Sequence, residues 1–193
     1  MKAHQDVKRR RTGFSVIELM VVVAVISIMA GFAIPRIDLT RFRTDAAARL
    51  VRTLLMAANR NAITRQSNVI VSFDSLYSRL RIVQDYNNND TLNTGDWTQY
   101  RALEDGGKFR SPSMLGVNGV SVTVPWEGAG VRTVSSMPSV IFRRDGSSSS
   151  DLTLYLTVRE NVPTDYRAIS VVANTGHTDM YRWSGTAWVR MTQ

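Results

Sequence analysis

Three regimes of hydrophobic patterning follow one another along the chain. From Phe14 to Ile34, 17 of 21 residues are apolar, the exceptions being Ser15, Glu18, Ser27 and Gly31. A run of that length is enough to cross a bilayer as a helix. From Arg36 to Gln66 there is neither Gly nor Pro, and Ala47, Leu50, Val51, Leu54, Ala58 and Ala62 recur at helical spacing. This predicts an amphipathic helix with one face to be covered. After Gln66 the period changes to that of strands, predicted at Val69–Phe73, Leu80–Gln84, Val120–Val124, Val140–Arg143, Leu152–Val158, Ile169–Ala173, Met180–Trp183 and Trp188–Met191. Turn chemistry punctuates them at Asp145-Gly146, Asn161 to Pro163, Thr175-Gly176 and Ser184-Gly185. The expectation is an α+β fold: a long amino-terminal helix packed on an antiparallel sheet of seven or eight strands in two layers. If continuous from Phe14 to Gln66, the helix would be about 80 Å long.

The apolar run exceeds the h-region of an ordinary secretory signal, and no small-residue cleavage pattern follows it, so it is expected to be retained. Lys2, Lys8, Arg9, Arg10 and Arg11 precede it against the single acid Asp6. By the positive-inside rule that end stays cytoplasmic and the residues after 35 lie across the membrane. The chain then divides into residues 1–13 as a leader, 14–35 as a transmembrane helix, 36–66 as the amphipathic helix and 67–193 as a sheet domain.

Composition narrows the chemistry. There is no cysteine, and His4 and His177 are the two histidines, which excludes disulfide frameworks, thiol nucleophiles and histidine metal clusters. A serine hydrolase would have to use His177 or Lys108, Glu104 and Asp105 are adjacent rather than placed across a cleft, and Gly106-Gly107-Lys108 lacks the spacing of a phosphate loop. No enzyme and no cofactor are expected. The formal charge of +8 resolves by region: the leader carries +4, residues 36–66 carry +5, Glu18 carries −1, and residues 67–193 hold 12 bases and 12 acids. The sheet domain is therefore neutral, and the basic balance reports topology and a helix that can lie near anionic headgroups. Nucleic acid is not expected as a partner. Tyr181, Trp183 and Trp188 alternate at strand spacing and are read as core or interface rather than as a base-stacking platform.

Three features invite a role. Glu18 is an ionisable group inside an uncharged span, which costs at least a few kcal/mol unless it is paired or reaches the headgroups. Pro35 removes a backbone donor and crowds the carbonyl of Gly31, so the pair either bends the helix or ends it. Asp85, Asn87, Asn89 and Asp96 stand at positions 1, 3, 5 and 12 of a loop that superficially follows a calcium pattern. Position 6 is Asp90 rather than Gly, however, and asparagine-rich turns are also what a hairpin needs. A plain loop is the preferred reading.

Gly13-Phe14-Ser15-Val16-Ile17-Glu18, with the basic leader before it and the apolar run after it, resembles the class III signal of type IV pilins and type II secretion pseudopilins. The resemblance implies cleavage by prepilin peptidase after Gly13 and methylation of the new amino group of Phe14. It also implies pairing of Glu18 with the terminal amine of a neighbouring subunit during assembly, and a helix kink at Pro35. Ala58, Ala62, Ile63 and Arg65, then Val69-Ile70-Val71, Phe142 with Gly146, and Val171 to Gly176 leading into Tyr181 are similar to the GspH/FimT family of minor pseudopilins. Asn59 and Asn61 replace the arginine and glutamate of that family's pattern, and residues 98–139 lie outside the likeness. The resemblance implies a pilin-like structural subunit of the type II secretion pseudopilus in the bacterial inner membrane, with other pseudopilins and membrane lipid as partners. The alternatives are a minor type IV pilin that primes a pilus, and a DNA-capturing pilin. For the last, Gly176-His177-Thr178-Asp179 keeps the glycine of the associated Gly-Arg-x-Arg motif and neither arginine.

Overall fold

The computed structural model describes residues 13–33 and 39–192, and the chain divides into two units, Met1–Asp38 and Leu39–Gln193. In the first, helix α1 spans Val16–Ala33. Its side chains from Val16 to Met29 are exposed, with Val16 at 74% and Met29 at 67%. Ser27 returns its hydroxyl to the carbonyl of Val23 at 2.8 Å, which satisfies that polar group within the helix. Helix α1 runs through Gly31 to Ala33; Pro35, on which the expected bend rests, and the leader residues 1–12 lie outside the described residues.

The second unit begins with helix α2, Thr40–Arg65, which ends where Gln66 enters the left-handed region at φ 55°. Its buried face consists of Thr44, Ala47, Ala48, Val51, Leu55, Ala58 and Ala62. The stripe is rotated from the expected one: Leu50 and Leu54 are half-buried at its margin, and Ala48 and Leu55 take the centre. Small alanines here let the helix approach the sheets closely, and a fully buried Leu or Val contributes roughly 1.5–3 kcal/mol.

Eleven strands follow among the described residues: β1 Asn68–Asp74, β2 Arg79–Asp85, β3 Trp97–Ala102, β4 Lys108–Phe109, β5 Trp126–Glu127, β6 Arg132–Val134, β7 Met137–Phe142, β8 Leu152–Thr157, β9 Arg167–Val171, β10 Thr178–Trp183 and β11 Trp188–Arg190. All pairings are antiparallel. One sheet has the order β3-β2-β1-β7-β6 and the other β11-β10-β9-β8-β4, with β5 also pairing β8. The first hairpin pairs β1 with β2 and sets Val69 opposite Gln84 and Phe73 opposite Leu80. Two expectations are corrected. Val120–Val124 is not a strand but loop, because its valines alternate over too short a run with no neighbouring strand to accept its hydrogen bonds. Strands β3 to β6, which are short or polar, carry too little hydrophobic alternation to announce themselves.

The period of two sorts residues to opposite faces. Val69, Val71 and Phe73 of β1, Leu80 and Ile82 of β2, Val140 and Phe142 of β7, Leu152, Leu154 and Leu156 of β8, and Ile169 and Val171 of β9 form one core with the buried face of α2. The helix thus packs against both sheets. Ile70, Val83, Val134 and Ile141, on the other face of the first sheet, form a second cluster capped by Leu92. Beside it Arg81 is buried, donating from Nη2 to Ser72 Oγ at 2.9 Å and to the Val134 carbonyl at 2.7 Å. This ties β2 across β1 to β6.

Candidate functional site

The residues of the amino-terminal motif lie at the start of α1. Gly13, Phe14 and Ser15 are non-helical, and Phe14 is 86% exposed. The Ser15 hydroxyl accepts from the Glu18 N–H at 3.3 Å and the Ser15 carbonyl accepts from the same group at 3.1 Å. Ser15 is thus the N-cap and Glu18 the third helical residue, the Ser-x-x-Glu spacing of a capping box. The sequence carried this signal, but it was legible only with the helix start known. The Glu18 carboxylate stands in the first turn, where the helix dipole favours negative charge, and forms no ion pair with any described residue. An apolar helix exposed on all sides, with one carboxylate at its amino-terminal end, can be satisfied by lipid or by other helices.

At the carboxyl-terminal end of α2, residues far apart in sequence converge. Asn59 Nδ2 donates to the carbonyl of Gly146 at 3.2 Å and of Thr175 at 3.5 Å. Gly176 has φ +60°, and a Cβ there would stand 1.8 Å from Asn59 Nδ2 and 2.7 Å from the Gly146 carbonyl oxygen. Position 176 therefore accepts only glycine without rearrangement. Ile63 lies beside Gly146, and Phe142 is fully buried. Asn59, which departs from the family pattern, is the side chain that latches the helix to the two turns.

At the other end of α2, Asp45 does not pair with Arg49, four residues along the same helix. It accepts from Arg167 Nε of β9 at 2.5 Å, because Arg167 is buried and held in place by the carbonyls of Thr164 and Tyr166. Asp165 is fully buried and accepts from Arg159 Nε at 2.6 Å.

In the 85–96 loop, Asp85 Oδ2 accepts from the Asp90 N–H at 2.7 Å, Asn87 Oδ1 from Asn89 N–H at 3.2 Å and Asn89 Oδ1 from Thr91 N–H at 3.0 Å. The two Asp96 oxygens accept from the N–H groups of Tyr86 at 3.2 Å and Asn93 at 2.8 Å. All four side chains cap their own loop's backbone. Asp90, left-handed at φ 61°, turns its carboxylate outward to Asn68, Arg132 and Arg143. Among the described residues no group of three or more His, Cys, Asp or Glu is placed to hold a metal ion.

The carboxyl-terminal aromatics act in packing. Trp183 and Trp188 ring centroids lie 5.5 Å apart, as do those of Tyr155 and Trp188. Trp188 Nε1 donates to the Leu115 carbonyl at 2.9 Å, and the fully buried Tyr155 donates its hydroxyl to Glu127 at 2.5 Å while accepting from Val117 N–H at 2.8 Å. Burial, and then the Glu127 carboxylate, push the Tyr155 phenol above its ordinary pKa. These contacts clamp the loop between β4 and β5 onto the second sheet; no local pattern in the sequence announced them. At the Gly176-His177-Thr178-Asp179 stretch, Asp179 accepts from Arg190 Nε at 2.9 Å and faces His177 Nε2 at 3.2 Å.

No curated protein matches the chain. Two solved structures of the minor pseudopilin EpsH from the type 2 secretion system of Vibrio cholerae are similar to it in fold. One shows 13% identity over 72% of this chain and 95% of that one, with a TM-score of 0.47. The other shows 15% identity over 72% of this chain and 94% of that one, with a TM-score of 0.48. Residues 8–34 match the prokaryotic N-terminal methylation motif. Residues 47–176, or 130 of the 193, match the family described as type II transport protein GspH, so the chain belongs to the GspH family and, with the methylation motif ahead of that domain, is a GspH-like pseudopilin.

Proposed function

We propose that this chain is a minor pseudopilin that serves type II secretion as a structural subunit, built into the pseudopilus through α1 after removal of its leader. Prepilin peptidase cuts after Gly13, the amine of Phe14 is methylated, α1 holds the subunit in the inner membrane, and the unit from Leu39 onward works in the periplasm among other pseudopilins. Among the described residues no helix is long and apolar enough to cross a membrane. Helix α1 has 18 residues, about 27 Å at 1.5 Å per residue against a hydrocarbon core of about 30 Å. The apolar run in the sequence, Phe14 to Ile34, is longer than α1 by three residues.

The observation that carries this reading is the pairing of an apolar helix exposed on all sides with a lone carboxylate in its first turn, five residues after Gly13. Cleavage after Gly13 creates an amine four residues before Glu18. In a filament of such helices, the carboxylate of one subunit and the amine of the next neutralise each other in a medium where either alone is costly. The test uses the full chain in cells carrying the secretion system. Glu18→Ala is expected to be cleaved and methylated normally, as read by intact mass, while secretion falls by about tenfold or more, the loss of roughly 1.4 kcal/mol or more per assembly contact. Wild-type secretion by Glu18→Ala, or a mature chain beginning at Met1, would overturn the proposal.

A further inference from the structure

Beside the first turns of α2 lies a cleft of about 270 Å³ lined by Arg41, Thr164, Arg167, Arg182, Trp183 and Ser184. Its cations are unequally neutralised. Arg167 is 4% exposed, with Nε on Asp45 and Nη1 on the carbonyls of Thr164 and Tyr166, which leaves Nη2 without a bond to any described residue. Arg41, with a side chain 62% exposed, is held only loosely, by a 3.3 Å contact from Nη2 to Thr164 Oγ1 and a 3.9 Å approach of Nε to Asp165 Oδ1. Arg182 is exposed and has no acidic partner among the described residues. Of the carboxylates paired with these arginines, Asp45 is taken by Arg167, while Asp165 gives Oδ2 to Arg159 and faces Arg41 with an Oδ1 that accepts no hydrogen bond from any described residue. Guanidinium forks with unspent donors around one cleft match the oxygens of a phosphate.

We infer that this cleft binds the phosphate of an anionic phospholipid headgroup, an inference that rests on the membrane-anchored reading above. Two features favour a lipid over a free phosphate. Arg41 stands seven residues after the end of the apolar run at Ile34 in the sequence, the juxtamembrane position in which basic residues meet anionic headgroups. Leu39 and Phe42, flanking Arg41 in sequence, are 51% and 70% exposed, and Trp183 at the cleft is of the residue type that concentrates at headgroup level. Bound lipid would hold the domain to the membrane through a second, polar contact until the subunit leaves for the filament.

The full chain is reconstituted into phosphatidylcholine nanodiscs containing a minor fraction of phosphatidylglycerol with a photoactivatable headgroup, and crosslinks are mapped by mass spectrometry. The expected result is crosslinking at peptides containing Arg41 and Arg182–Ser184, competed by unlabelled phosphatidylglycerol but not by phosphatidylcholine or inorganic phosphate. Arg41→Gln and Arg182→Gln should each lower the yield about fivefold, the scale of one arginine at an anionic surface. Arg144→Gln, an exposed arginine outside the cleft, should leave it unchanged. Competition by inorganic phosphate equal to that by lipid overturns the lipid assignment, and a fall in yield with Arg144→Gln as large as with Arg182→Gln overturns the cleft in favour of diffuse charge. A chain that enters the discs but is not crosslinked at these peptides overturns the cleft while sparing the anchor; a chain that does not enter the discs overturns both.

Discussion

Replacing Gly176 by alanine tests whether the Asn59 latch holds α2 to the turns of both sheets. The backbone at 176 is left-handed at φ +60°, which costs an L-residue about 1–2 kcal/mol. The new Cβ would meet Asn59 Nδ2 at 1.8 Å, so that side chain must swing away and give up its bonds to the Gly146 and Thr175 carbonyls, worth about 0.5–1.5 kcal/mol each. The Gly146 carbonyl oxygen, 2.7 Å from the same Cβ, is backbone and moves only with its turn. Lower chain entropy in the unfolded state returns about 0.4–1 kcal/mol. The net expectation for Gly176→Ala is about 2–4 kcal/mol of destabilisation. In a domain of this size 1 kcal/mol moves Tm by about 2–4 °C, so the midpoint should fall by roughly 4–16 °C.

The assay is thermal and urea unfolding of the full chain in neutral detergent, with Asn59→Ala and the double variant completing a cycle. Because Asn59→Ala removes both the obstruction and the bonds that the alanine would break, the double variant should be less destabilised than the sum by about 1 kcal/mol or more. A Gly176→Ala variant within about 0.5 kcal/mol of the parent, or strict additivity with Asn59→Ala, would refute the latch.

Tyr155→Phe removes the hydroxyl that bonds both Glu127 and the Val117 N–H; the expected cost is about 1–3 kcal/mol, with faster limited proteolysis between residues 110 and 125, and unchanged cleavage there would contradict the clamp. Asp74 at the β1–β2 turn is buried, which pushes its carboxyl up, but the Arg79 guanidinium and the Tyr77 N–H outweigh this and hold it below 3.8. Its folded pKa being the lower one, its contribution is complete above the unfolded value and is lost as pH falls through the folded value. Asp74→Asn should therefore flatten the loss of stability below about pH 4 in urea titrations and lower stability at neutral pH; an unaltered acid limb would contradict the assignment.

The sequence by itself determined what depends on local periodicity and chain order. A bilayer-length apolar run after a basic leader, the glutamate five residues past Gly13, a Gly- and Pro-free amphipathic stretch, and the alternation of Val69 to Phe73 with Leu80 to Gln84 are all readable because the covalent chain sets the 3.6 and 2.0 residue periods. That is why the α+β class and the two strands of the first hairpin were legible, and why the motif Gly13 to Glu18 stands out in the sequence alone. The tertiary structure decided everything set by partners distant in sequence. Leu55 rather than Leu54 centres the α2 face because two sheets, not one, enclose it. Asp45 takes Arg167, 122 residues away, over Arg49 one turn along, since a buried guanidinium gains more from a carboxylate than an exposed one does. Strands β3 to β6 exist because neighbours accept their hydrogen bonds, while Val120–Val124, the better alternating segment, lacks a neighbouring strand and stays a loop. The arginine cleft, too, joins residue 41 to residues 164–184, a juxtaposition that no sequence period encodes.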